Sequence, residues 1–292
     1  MKALVTGGAG FIGSHICDLL VSRGHDVIVL DDLSKGGNTP KSCQFFNADI
    51  RDEQKLIELS KGCSAIFHQA AIADIPLSIK DPKLVNSVNV EGTLSVLEAA
   101  RKNNCRVIFA SSSSIYGAAA PPIKETAEPD PKTPYAVTKL VCEHYLRNYS
   151  ELYGLKCVAL RYFNVYGPRQ SAGPVIASFC FSAAKGQPLL IEGSGEQVRD
   201  FVYVEDVAEA NLLSLKTSKS FLAVNIGTGK GTSLNELAKA IGGKTEKKPA
   251  RQGDISISMA DISLAKKELG WSPKISLKDG LSKTIAWARS SA

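Results

Sequence analysis

The chain has 292 residues, 44% hydrophobic and 22% charged, with a formal net charge of +6. That length buries a large core, as one α/β domain or one and a half, and the composition is ordinary for a globular protein. No apolar run approaches the ~20 residues of a membrane span, the opening MKALVTGG lacks a signal-peptide pattern, and dispersed lysines and arginines argue against nucleic acid, the only compact basic stretch being 242–251. A cytoplasmic protein is expected.

The first strand is expected at 2–6 (KALVT), followed by GGAGFIG and a helix at 12–23. Gly7, Gly10 and Gly13 fall in that connection. Glycines there permit a tight turn and let backbone N–H groups approach a pyrophosphate at a helix N-terminus. Glycine-rich turns also arise for structural reasons alone. Here the second strand, 26–31 (DVIVLD), ends in Asp31, whose carboxylate suits the hydroxyls of an adenosine ribose and repels a 2′-phosphate. The reading is a dinucleotide site for NAD rather than NADP, with Lys35 and Arg51 as moderating charges. Asp32 is either a second ligand or a turn residue.

Strands are next expected at 43–47, 64–68 and 105–110, with helices at 53–60 and 83–103 between them. The strand CRVIFA runs into ASSSSIYG, four hydroxyls at the end of an apolar strand. About twenty residues on, TPYAVTKLVCEHYL places Tyr135 and Lys139 four apart on a helix at 133–153, hence on one face. A free tyrosine has a pKa of about 10 and is a poor base at neutral pH. A neighbouring ammonium, with the positive charge of oxidised nicotinamide, stabilises the phenolate and makes it a base for an alcohol proton. The same spacing also occurs on ordinary amphipathic helices with Lys on the solvated side.

Further strands at 157–162 and 222–226 and helices at 205–216 and 276–290 complete the pattern. Continuous apolar strands alternating with helices indicate an α/β fold, a Rossmann-type doubly wound parallel sheet. Past residue 165 the chain breaks into Gly/Pro-rich pieces. The expected organisation is a cofactor domain over 1–166, to which the strand at 222–226 returns, and a smaller α/β region over 167–292 that binds substrate. Seven cysteines without a C-x-x-C pair read as buried small hydrophobes, and four scattered histidines give no metal constellation.

Taken together, TGGAGFIGSH, DIRD, HQAA, NVEGT, SSSSIYG, YAVTK, RYFNVYGPRQ, VRDFVYVEDVA and RQGDISISMADISLAKKELGW span nearly the whole chain. In these stretches it resembles the extended short-chain dehydrogenase/reductase family, and within it the nucleotide-sugar epimerases of the UDP-glucose 4-epimerase type. The resemblance implies NAD as cofactor, a UDP-sugar substrate, a homodimer formed through the helices near 83–103 and 133–153, and reversible oxidation at C4 of the sugar through a 4-keto intermediate. It implies catalytic roles for Ser112, Tyr135 and Lys139. It implies cofactor contacts at Gly7, Gly10, Phe11, Ile12, Gly13, Asp31, Asp32, Asp49, Ile50, Ala70, Asn89, Tyr162 and Phe163, besides Tyr135 and Lys139. Substrate contacts fall on Asn164, Arg199, Arg251, Asp254 and Ser258, besides Ser112 and Tyr135.

In similar 4,6-dehydratases the two positions after the catalytic hydroxyl are Asp-Glu, and in UDP-glucuronate decarboxylases Ser-Glu. Here they are Ser113 and Ser114. A serine hydroxyl at neutral pH does not replace a carboxylate as general acid or base, which favours epimerisation. Ser111, Ser113 and Ser114 are expected to be small strand-end fillers. Three departures stand out: Ala73 where some relatives carry lysine, Glu192 where an aromatic often packs on uracil, and shortening around 170–175. Ser258 matches a gate position at which bulky Tyr tends to exclude N-acetyl groups, so serine implies tolerance of N-acetylhexosamines. The rival readings are another sugar-nucleotide enzyme of the family, a dehydratase or decarboxylase, and a non-catalytic NAD(H)-binding protein.

Overall fold

The computed structural model describes residues 1–35, 37–38, 40–249 and 255–291. Its main sheet starts with β1 (Lys2–Thr6), β2 (Asp26–Asp31), β3 (Gln44–Asn47), β4 (Ala65–His68), β5 (Arg106–Ser112) and β6 (Cys157–Tyr162). A seventh strand, Phe221–Ile226, arrives from far along the chain. All seven run parallel, in the spatial order Phe221–Ile226, β6, β5, β4, β1, β2, β3. The chain moves outward from β1 to β3, then returns to β4 and moves outward on the other side. The reversal leaves a crevice beyond the carboxyl ends of β1 and β4, where open α/β sheets bind ligands.

The strands are apolar throughout because both faces are covered. Alternate residues Ala3, Val5, Val27 and Val29 join one core, with Ile16 and Leu20 of α1 (Phe11–Ser22). Leu4, Ile28 and Leu30 join the other, with Leu56 of α2 (Glu53–Ser60). The helix expected at 83–103 runs unbroken from Pro82 to Asn103, right-handed helical at Asn86, Ser87, Glu91 and Gly92, but widened to a π-helical turn over Ser87–Glu91. α3 (Ile75–Lys80) stops at Asp81, whose side chain caps Leu84 N of α4 (Pro82–Asn86). Pro82 lacks the N–H that would continue α3, and an aspartate is a strong N-cap. A wide turn over Ser87–Glu91 then feeds α5 (Gly92–Asn103). A Cβ at position 92 would lie 2.5 Å from Ile50 Cδ1, so any larger residue there requires the Ile50 side chain to move.

The long helix α6 (Pro134–Tyr153) matches its sequence signals. Thr133 caps it through Ala136 N at 3.2 Å, Pro134 opens it, and Gly154 closes it at φ +69°.

Beyond β6 the chain builds two smaller sheets. β7 (Asn164–Tyr166), α7 (Val175–Ala184), β8 (Leu189–Glu192), β9 (Val198–Tyr203) and α8 (Val204–Leu213) precede the returning strand, β10 (Phe221–Ile226). β11 (Gly231–Ser233), α9 (Leu234–Ile241), β12 (Thr245–Lys248), β13 (Ile257–Ser258), α10 (Ser263–Leu269) and α11 (Leu277–Ser291) follow. β9 pairs with β7, β11 and β13, and β8 pairs with β12. A third core of Tyr166, Phe179, Phe201, Tyr203, Leu237 and Leu281 lies under them. Not everything past residue 166 stays in that region. Val207 and Ala210 of α8, Leu269 at the end of α10 and Trp271 just beyond it pack into the core of the main sheet.

Candidate active site

The expected cofactor residues follow the carboxyl ends of β1 to β4. Gly7 turns at φ +70° and a Cβ on it would sit 2.5 Å from Ala70 N, so the loops after β1 and β4 touch at the reversal point. A Cβ on Gly13 would fall 2.0 Å from Gly7 O. Gly10 differs: its Cβ would meet only Gly7 O, at 3.2 Å, leaving its outer side open. Gly10 also starts α1 without a side-chain cap, and the N–H groups of Phe11 and Ile12 have no acceptor among the described residues. Such free N–H groups at a helix start favour an anion.

Asp31 reaches back to this turn, accepting from Ala9 N at 3.0 Å and Leu33 N at 2.9 Å. Burial raises its pKa, against the pull of those backbone bonds. Asp32 accepts from Ser34 N and Oγ, at 3.0 and 2.7 Å, and so stabilises its own turn. Asp49 is forked by Arg51, which holds its carboxyl below the usual range. Ile50 is buried against Gly92. Asn89 accepts from Ile72 N at 2.8 Å and donates to Ile72 O and Thr138 Oγ1, at 3.1 and 3.0 Å. Its amide thus pins the loop after Ala70 to α6.

The catalytic candidates meet where α6 crosses the end of β5. Lys139 is buried and donates to Ala110 O at 2.8 Å. Its ammonium lies 4.7 Å from the Phe109 ring centroid and 5.9 Å from that of Tyr135. Burial lowers the Lys139 pKa from 10.5 to about 8. Burial raises that of Tyr135, and the Ser112 side chain facing the phenol partly offsets the rise. Ser112 Oγ accepts from Ser114 N at 3.1 Å, capping the short 3₁₀ turn Ser113–Tyr116. With that lone pair engaged, the hydroxyl proton is left to point into the site. Ser114 Oγ is enclosed and has no partner among the described residues.

Ser111 is not a filler. It donates to Glu143, whose carboxylate is forked by Arg161 at 3.0 Å from Nε and 2.7 Å from Nη2. Arg161 also donates to Tyr116 OH at 2.7 Å and to Glu125 O at 3.1 Å. Tyr116 OH donates in turn to Asn225 Oδ1 at 2.7 Å. Glu143 and Arg161 are both buried. Each had a signal in the sequence: Arg161 interrupts the apolar strand CVALRY, and Glu143 follows Lys139 by one helical turn.

At the end of β6, Tyr162 and Phe163 are buried, and Tyr162 OH sits between Gln69 Oε1 at 3.2 Å and Asn211 Nδ2 at 2.7 Å. Asn164 opens β7 and reaches Asp200 O at 3.4 Å. Arg199 and Ser258, 59 residues apart in the sequence, are register neighbours on β9 and β13. Arg251 and Asp254 lie outside the described residues. Asp200, unremarked in the sequence, is fully buried and accepts from Thr228 N, Thr228 Oγ1, Gly229 N and Ala260 N, at 2.6 to 3.1 Å. A carboxylate inside the apolar run VRDFVYV was the sign of a buried clamp.

A glycine turn at a reversal point, a carboxylate at the end of β2 and a Ser–Tyr–Lys cluster at the end of β5 define a dinucleotide-dependent enzyme of the Rossmann class. The chain belongs to the NAD dependent epimerase/dehydratase family, whose model matches residues 3–227. It is 38% identical to UDP-glucose 4-epimerase of Mycolicibacterium smegmatis, over 99% of each chain. A crystal structure of UDP-glucose 4-epimerase from Thermotoga maritima with UDP-glucose is 39% identical, with a TM-score of 0.95 over 100% of this chain and 99% of that one. The Thermus thermophilus UDP-glucose 4-epimerase complex with NAD is 40% identical, with a TM-score of 0.92 over the whole of both. Other chemistries occur among the relatives too. A UDP-N-acetyl-alpha-D-glucosaminuronate decarboxylase of Bacillus cytotoxicus is 33% identical over 99% of this chain and 98% of its own.

NAD is the cofactor of this family, and the open glycine turn with the unengaged N–H groups of Phe11 and Ile12 fits its pyrophosphate. No helix among the described residues is long and apolar enough to cross a membrane.

Proposed function

We propose that the protein is a cytoplasmic 4-epimerase of UDP-sugars, interconverting UDP-glucose with UDP-galactose, and their N-acetylated counterparts, through a transient 4-keto sugar. The observation that carries this reading is the end of β5. Ser112 and Tyr135 face one another beside the buried Lys139, while the next two positions are Ser113 and Ser114, which supply no acid or base for elimination. Unpaired cysteines, seven among the described residues, suit a reducing compartment.

In this reading Gly7, Gly10 and Gly13, with Phe11 and Ile12, hold the pyrophosphate. Asp31 and Asp32 lie at the adenosine ribose; Asp49, Ile50, Ala70, Asn89, Tyr162 and Phe163 line the rest of the cofactor site. When bound, NAD supplies a reversible sink for the electron pair removed at C4. Tyr135 as phenolate accepts the proton of the sugar 4-OH, with Ser112 bridging the two oxygens, and later returns it. Lys139 stabilises the phenolate while its charge persists. Arg199 and Arg251, with Asn164, serve the diphosphate, Asp254 the uridine ribose and Ser258 the sugar's 2-substituent.

The fold also presents exposed apolar side chains on α3, α4 and α6, among them Ile79, Leu84, Val137 and Leu152. They support a homodimer built on these helices, which light scattering would measure.

The test is incubation of the purified protein with UDP-galactose and, separately, UDP-N-acetylgalactosamine, without added NAD, followed by chromatography. Conversion to the gluco epimers is expected. No conversion of either sugar, even after NAD is supplied, sinks the reading.

A further inference from the structure

One helical face meets three successive residues of β5. Tyr135 faces Ser112, Lys139 donates to Ala110 O, and Glu143 accepts from Ser111. Glu143 is thus one turn beyond Lys139, buried, and on the same face as the phenol. Left unpaired, its carboxylate would draw the Lys139 ammonium toward itself and away from Tyr135. It is not unpaired. Arg161, from the neighbouring position on β6, closes on it with three contacts between 2.7 and 3.2 Å.

We propose that Glu143 and Arg161 are positioning residues for the catalytic pair. Glu143 fixes the end of β5 through Ser111, and Arg161 neutralises Glu143 so that the charge of Lys139 acts on Tyr135. The proposal deepens the proton-transfer role given above to Tyr135, but its test needs no substrate. The other ionisable groups packed around this face are Cys142 on α6, His68 on β4, Tyr116 in the 3₁₀ turn and Glu125 in the following loop. His68 is buried between Thr6 and Thr93, and burial lowers its pKa to about 3, so it carries no charge at neutral pH. Burial pushes Tyr116 up to about 12, with Arg161 opposing the rise, so it is neutral as well. Burial also raises Cys142, leaving it a thiol. Burial raises Glu125, whose carboxylate accepts from Asn225 N at 2.8 Å. Arg161 keeps its proton: burial works against its charge, and the Glu143 carboxylate outweighs that.

The experiment titrates Tyr135 directly in the NAD-bound full chain labelled with ¹³Cζ-tyrosine, its resonance identified by its loss in Tyr135→Phe. Glu143→Gln keeps an acceptor for Ser111 but leaves Arg161 unopposed, so the Tyr135 titration moves to lower pH. Arg161→Met leaves Glu143 unopposed and moves it to higher pH. The double variant Glu143→Gln/Arg161→Met restores a neutral pair and returns it close to the wild-type position. A unit charge eight residues along a helix is ~12 Å away, which at an effective dielectric near 20 corresponds to roughly one pH unit. Opposite shifts in the single variants with recovery in the double support the proposal. Shifts of the same sign, or none, overturn it and leave the pair as packing. Should Arg161→Met fail to fold, Glu143→Gln decides by its sign alone. Opposite shifts in a protein that epimerises no sugar would retire the proposed function and leave this inference standing.

Discussion

Lys139 carries a cost that the proposed function explains. Its ammonium is buried, with Ala110 O as its hydrogen-bond acceptor, and burial lowers its pKa from 10.5 to about 8. An unfolded lysine keeps its proton to a higher pH. Below about pH 8 both states are protonated and the folded state bears the full penalty. From there to about 10.5 the unfolded chain holds more protons, so stability rises with pH. The penalty corresponds to about 3 kcal/mol, against about 1 kcal/mol for the lost bond to Ala110 O in a Lys139→Met variant. That variant is expected to melt higher than wild type at pH 7 while losing most of its activity. The gain in melting temperature should shrink as the pH is raised past 8. A calorimetric series from pH 7 to 10 checks it; a variant that melts lower at pH 7 contradicts the account. In the proposed function Ser258 makes the opposite case, a residue whose value lies in what it leaves empty. As the register neighbour of Arg199, Ser258→Tyr should cut turnover of UDP-N-acetylgalactosamine by at least about tenfold, with UDP-galactose turnover largely kept. Steric exclusion readily supplies a discrimination of that order. Equal losses on both sugars, measured as kcat/KM, would show that Ser258 is not a gate.

The glycine turn separates two uses of the same residue type. At Gly13 a Cβ would fall 2.0 Å from Gly7 O, a backbone atom that cannot yield without opening the turn. At Gly10 the protein has room, because only Gly7 O lies near, at 3.2 Å. Gly13→Ala should therefore cost both fold and cofactor. Gly10→Ala should keep a near wild-type melting temperature yet purify with markedly less NAD, measured by its absorbance after denaturation. Full NAD content in Gly10→Ala would mean that the open side of this glycine is not where the pyrophosphate lies. The tight turn itself was legible in the sequence because strand, turn and helix are contiguous and each local signal agrees with the next. The juxtaposition of Tyr135 and Lys139, the pair proposed to be catalytic, was legible for the same reason: they share one helix and a four-residue spacing. The start of α4 was written locally as well, in the cap Asp81 followed by Pro82, whereas the π-helical turn over Ser87–Glu91 has no such local mark. Ser111, Glu143 and Arg161 were illegible as a group, since they come from a strand end, a helix and a second strand. No local pattern states that three such elements converge. What the sequence does contain is the anomaly that demands partners, a charge inside an apolar run. Arg161 and Asp200 both have that form.

Asp200 shows how the two regions of the molecule are held together. The smaller sheets do not form a detached lobe: α8 and Trp271 pack into the main core, and Asp206 accepts from Lys274 N and Ile275 N, both at 3.0 Å, tying the approach to α11 back to α8. Asp200 does the same from β9. One carboxylate oxygen accepts from Thr228 N and Oγ1, the other from Gly229 N and Ala260 N. The loop after β10 and the segment after β13 are thereby fixed on β9, beside Arg199 and Ser258. An asparagine cannot replace this group. Whichever way its amide turns, the NH₂ meets at least one backbone N–H that has lost its acceptor, a cost of about 2–3 kcal/mol. Asp200→Asn is expected to melt several degrees lower and to raise KM for the UDP-sugar several-fold. The residues proposed for proton transfer, at the end of β5, lie on another element, so kcat should fall less than KM rises. The NAD content should not change, because the glycine turn is fixed from β1, β2 and β4. Steady-state kinetics with the retained cofactor would separate the cases. A loss confined to kcat, with KM unchanged, would place Asp200 in the catalytic machinery and not in the frame that aligns the substrate.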